Sequence, residues 1–71
     1  MTYGQKAVGL TFNPIGDPKV KRLKELFAEI IDICFEMKTG QNEQTRLASI
    51  AITEAQTSQM WAVKAATWKE D

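Results

Sequence analysis

DPKVKRLKELFAEIIDICFEMKTG, residues 17–40, decides the fold. Asp17 reads as an N-cap and Pro18 as the first helical residue, where its missing N–H costs nothing. Val20, Leu23, Phe27, Ile30, Cys34 and Met37 then recur at alternating spacings of three and four, one stripe of an α-helix. Leu26, Ile31, Ile33 and Phe35 widen that stripe well beyond a single seam. Thr39-Gly40 closes the helix, with Gly40 suited to a left-handed C-terminal conformation.

Downstream, Asn42 can cap a second helix that no Gly or Pro interrupts. Ala48, Ala51, Ala55, Ser58, Ala62 and Ala65 form a stripe of small residues that lets another helix approach closely. A second stripe, Leu47, Ile50, Glu54, Thr57, Trp61, Lys64 and Trp68, carries the bulk. Upstream, residues 1–16 read as an arm of mixed composition ending in the turn-rich Asn13-Pro14-Ile15-Gly16. The expected layout is a single all-α domain over 1–71: an arm at 1–16 and an antiparallel hairpin of helices at 17–39 and 42–69.

A chain of 71 residues usually buries too little apolar surface to offset its ordering entropy. The remedies are disulfides, a metal or oligomerisation. Cys34 is the only cysteine and there is no His, so neither an intrachain disulfide nor a structural zinc site is expected. A homo-oligomer remains. The first helix is apolar around most of its girth, and the second has both a small face and a Trp-bearing one, more than a lone hairpin can hide. Nine basic and nine acidic residues balance to zero net charge, which disfavours a DNA or RNA polymer as partner. The longest apolar runs are too short to span a membrane, and Met1–Lys6 lacks the apolar core of a secretion signal. A cytoplasmic setting with a reduced Cys34 follows as the expectation.

The absence of His and of a glycine-rich phosphate loop speaks against an enzyme. Glu25, Glu29, Asp32 and Glu36 have the spacing of a carboxylate-bridged metal pair but lack its Glu-x-x-His partner, so a solvated acidic face is the simpler reading. Cys34 is most simply a small core residue. The basic residues are less evenly spread. Lys19, Lys21, Arg22 and Lys24 crowd the first two turns of a helix whose N-terminus already carries about half a positive charge. An anion there would meet free backbone N–H groups, the dipole and ammonium groups together. Phe12, just before the turn, could supply a surface for a base to stack on. The alternative is surface lysines and a Phe12 staple onto the helix. Lys64, flanked by Trp61 and Trp68, could snorkel over the indoles, or meet an anion if symmetry gathers its copies.

Residues 46–65, RLASIAITEAQTSQMWAVKA, resemble the second helix of the phage helical-hairpin proteins shared by anti-CBASS and Thoeris anti-defence sponges. The shared pattern is Thr53, acidic Glu54, Gln56-Thr57, Met60, then basic Lys64 and Ala65. Gly9-Leu-Thr-Phe12-Asn13-Pro14 and Val20, Leu23-Lys24, Phe27-Ala28 and Ile30-Ile31-Asp32 are similar to small phage relatives of the same hairpin.

The resemblance implies a compact homohexamer that binds cyclic nucleotide immune messengers, uncleaved, in the host bacterial cytoplasm. Cyclic dinucleotides would sit between protomers, with Phe12 where the family places an aromatic residue on the base. Matching the apolar pattern puts Lys24 near the phosphates, through a connection three residues shorter; Asn13 and the start of the first helix are expected to assist it. Lys64 falls at the basic position that reaches the phosphates of cyclic trinucleotides, where Lys in place of Arg loses a bidentate contact. In the Thoeris branch the ligand is a cyclic ADP-ribose isomer. Implied ligand residues are thus Phe12, Asn13, Lys24 and Lys64, with no cofactor or metal. The rival reading is a structural oligomerisation or adaptor module of a phage with no small-molecule ligand.

Overall fold

A computed structural model describes residues 1–70. Their secondary structure is three helices: α1 over Tyr3–Val8, α2 over Pro18–Glu36 and α3 over Glu43–Ala66. The hairpin starts where its caps are written. The Asp17 carboxylate accepts from the N–H groups of Lys19 and Val20, and the Asn42 side chain accepts from Thr45 N–H. The ends differ from the sequence reading. Met37, in the right-handed conformation, closes α2, and Gly40 takes its positive φ of 154° three residues further on, inside the connecting loop. α3 stops at Ala66, where Thr67 satisfies the Val63 carbonyl with both its backbone N–H and its hydroxyl.

The arm holds a helix that the sequence reading leaves out. Thr2 and Gln5 form a reciprocal capping box, and Gly9 ends α1 in the left-handed conformation at φ 63°. α1 lies antiparallel on α2. Gly4 sits so close to the Ala28 backbone that a Cβ there would overlap the Ala28 carbonyl oxygen. Tyr3 stacks on Phe35 with ring centroids 4.6 Å apart.

The core is small. Ile31 is fully buried, surrounded by Val8, Ala28, Cys34, Ala48 and Ile52, with Ala51 and Ala55 packed against it. The small stripe of α3 therefore receives its own chain's α2 at these positions. The buried row of α2 is Val20, Lys24, Ala28, Ile31 and Cys34, which shares Val20 and Cys34 with the stripe chosen by periodicity but not the rest. Of that stripe Ile30 and Met37 face outward, as do Leu26 and Ile33. On α3, Leu47, Ile50 and Trp61 are also exposed, as is Trp68 beyond its end. The chain measures 48 × 25 × 12 Å, a slab about one helix thick. One layer of helices cannot cover both of its own faces.

Candidate functional site

Phe12, Asn13 and Lys24 come together where the N-terminal end of α2 meets the C-terminal end of α3. With Pro14, Ile15, Val20, Val63 and Thr67 they line an open, largely apolar cavity of about 230 Å³. Lys24 is its polar centre. Its side chain lies on the buried row and keeps only 5% of its surface exposed. Its Nζ donates to the carbonyl of Gly9 at 2.9 Å and to that of Phe12, and stands 5.4 Å from the centroid of the Phe12 ring. An ammonium group has three N–H donors, so one remains after these two bonds. Burial removes water from the charged form and lowers the Lys24 pKa from its ordinary 10.5.

Phe12 is 71% exposed. It is therefore no staple against α2; its flat face is open to a stacking partner. Asn13 closes the turn into α2. Its Nδ2 donates to the Asp17 carbonyl at 2.9 Å, and its Oδ1 accepts from Asp17 N–H at 3.1 Å. That brace sets the cavity wall and uses one of the two Asn13 amide N–H donors and one lone pair of its oxygen.

One expectation fails here. The N-terminus of α2 has no free N–H groups for an anion: Pro18 has none, Lys19 and Val20 donate to the Asp17 carboxylate, and Lys21 donates to the Asp17 carbonyl. The residue that starts the helix also fills its anion site. Lys19, Lys21 and Arg22 are exposed, so only Lys24 of the basic cluster belongs to the cavity wall.

Lys64 lies apart from this group. It is exposed, with its Nζ 5.5 Å from the Trp61 ring, and forms a shallow apolar hollow with Met60 and Trp61. Trp68 does not line that hollow; its indole N–H donates to Glu70.

Two contributors escape the sequence reading. Asp32, grouped there with the acidic face, accepts from Gly4 N–H at 2.7 Å and ties the start of α1 to α2. Gly9 supplies a carbonyl to Lys24. The signal for both was the capped α1 itself: Thr2-x-x-Gln5 followed by Gly9.

The family model for the Acb2/Tad1 hairpin domain matches residues 5–67, which takes in the arm cavity and Lys64. The chain belongs to the Acb2/Tad1 hairpin family. This is the family of anti-CBASS and anti-Thoeris cyclic-nucleotide sponges. No curated protein and no solved structure matches the chain. The described all-helical hairpin agrees with the Acb2/Tad1 assignment.

Proposed function

We propose that the protein is a phage anti-defence sponge that binds cyclic nucleotide messengers in the infected host's cytoplasm and holds them uncleaved. Membership of the Acb2/Tad1 hairpin family supports the ligand class. The observation that carries the site is the exposed Phe12 ring beside a buried Lys24 ammonium with one donor left over. Phe12 stacks on a base and Lys24 meets a phosphate, the two chemistries a nucleotide presents.

One chain provides only part of such a site. About 230 Å³ falls below the roughly 300–1,000 Å³ usual for small-molecule pockets. The outward apolar residues of α2 and α3 supply the surface on which a second protomer completes the wall, within a homohexamer. The Met60–Trp61–Lys64 hollow is the second candidate site, for a cyclic trinucleotide gathered at a symmetry axis. The balanced charge and the small cavity suit a compact ligand rather than a DNA or RNA polymer or a membrane surface.

Sequestration needs only a dissociation constant below the messenger concentration, and no reaction. The test is a thermal-shift panel of cyclic dinucleotides, cyclic trinucleotides and cyclic ADP-ribose isomers, with linear nucleotides as controls. A cyclic member should raise the melting temperature and be recovered intact after heating. A flat panel, with light scattering reporting an oligomer, would leave the exposed apolar stripes as the surfaces of a structural module.

A further inference from the structure

The arm that carries Phe12 has apolar contacts with the hairpin, through Val8, Ala7 and Leu10. Such contacts are non-directional and do not fix where α1 stops along α2. Beside the Tyr3–Phe35 ring stack, three contacts do fix it. All three lie on one row of α2, at positions 24, 28 and 32, spaced by four so that they share a face. At one end the Asp32 carboxylate takes Gly4 N–H at 2.7 Å. In the middle the backbones of Gly4 and Ala28 touch, because Gly4 has no Cβ to hold them apart. At the other end the Lys24 ammonium takes the carbonyls of Gly9 and Phe12.

We infer that Asp32 and Lys24 act as two pins of opposite charge that set the register of the arm, making Asp32 a positioning residue for the ligand site at the far end of α1. The inference rests on the sponge reading for its consequence in binding, though the docking itself does not depend on a ligand. With the Asp32 pin in place, Phe12 is held beside Lys24 before the ligand arrives. Without it, α1 slides or lifts, and only the fraction of molecules with a docked arm can bind. Apparent affinity falls by that fraction, and the loss lies in association. Removing a direct ligand contact instead speeds dissociation.

The experiment uses the full chain as wild type, Asp32→Ala, Asp32→Asn and Gly4→Ala. Amide hydrogen exchange of the ligand-free proteins reads the docking; binding kinetics with 3′,3′-cyclic GMP–AMP read its consequence. Asp32→Ala should raise exchange across α1 and the Gly9–Phe12 turn while α3 keeps its protection. It should slow association about tenfold if the docked fraction falls to about one-tenth, with dissociation unchanged. Asp32→Asn should restore most of both, since the amide oxygen still accepts from Gly4 N–H. Gly4→Ala, which sets a methyl group against a backbone carbonyl, should exceed Asp32→Ala in the same direction. Arm exchange in Asp32→Ala equal to wild type overturns the inference. So does an affinity loss carried by faster dissociation, or Asp32→Asn behaving like Asp32→Ala. A wild type that ignores the probe strikes the sponge reading, and the exchange comparison then decides the docking alone.

Discussion

The arm and the hairpin are attached to the same helix by different physics. The α2–α3 hairpin closes through small and apolar side chains, Ala28, Ile31 and Cys34 against Ala48 and Ile52. The arm closes through those contacts at Val8 but also through directed ones, an ammonium on two carbonyls and a carboxylate on one N–H. Apolar packing tolerates repacking if volume is kept. A directed bond is either made or leaves its partner unsatisfied. The hairpin is therefore the scaffold and the arm the adjustable part, and substitutions should separate the two.

The largest effect is expected from Ile31→Ala. Ile31 is fully buried, and its truncation should cost about 2–5 kcal/mol, read as a lower midpoint in urea or heat. A loss under about 1 kcal/mol would place the centre of the core elsewhere and break the comparison. Phe12→Ala comes next, and on binding rather than folding. Lost stacking of about 1–3 kcal/mol weakens a cyclic dinucleotide about five- to more than a hundredfold by calorimetric titration. Because the ring is 71% exposed, ligand-free stability should stay within about 0.5 kcal/mol. A large fall in stability would mean that the arm shares the hairpin's core.

Lys64→Ala sharpens the contrast from outside the arm. If copies of Lys64 converge at an axis of the proposed homohexamer, it should abolish cyclic trinucleotide binding, leave dinucleotide affinity unchanged, and raise the melting temperature of the free protein by relieving repulsion between the ammonium groups. Unchanged trinucleotide affinity would reduce Lys64 to a cover for Trp61, a contact worth about 0.5–1 kcal/mol at an exposed site.

The smallest expected effect is on pH dependence. Burial lowers the folded-state pKa of Lys24 below 10.5, so in alkali the unfolded chain still holds a proton that the folded chain has released. Stability tied to this group therefore rises with pH between the lowered value and 10.5. Wild type should gain on Lys24→Met across that window in parallel denaturant titrations. A flat or falling difference would show that the carbonyl bonds outweigh the desolvation.

The hairpin was legible because its signals are local and repeated. Asp17-Pro18 and Asn42 mark the helix starts through caps that need no tertiary context. The choice of face was not legible. Outside its charged face α2 carries apolar residues round most of its girth, so a period of 3.6 cannot say which apolar row faces inward, and Lys24 on the buried row contradicts hydropathy. α1 is six residues long, too short for periodicity, although its caps were readable. Phe12 and Lys24 were legible as a pair. The cost that Asp17 imposes on the anion site was implied by reading it as an N-cap, since a capping carboxylate takes the N–H groups an anion would use.

A slab 12 Å thick with Ile33, Trp61 and Trp68 facing outward presents apolar surface that the proposed homohexamer would cover. In the proposed assembly, folding and association become one equilibrium, and mass action governs both. The melting temperature should then climb with protein concentration, as it does for obligate oligomers. In an infected cell the dose of translated protein would decide how many pockets exist as well as how many chains, so sequestration would switch on more steeply than synthesis.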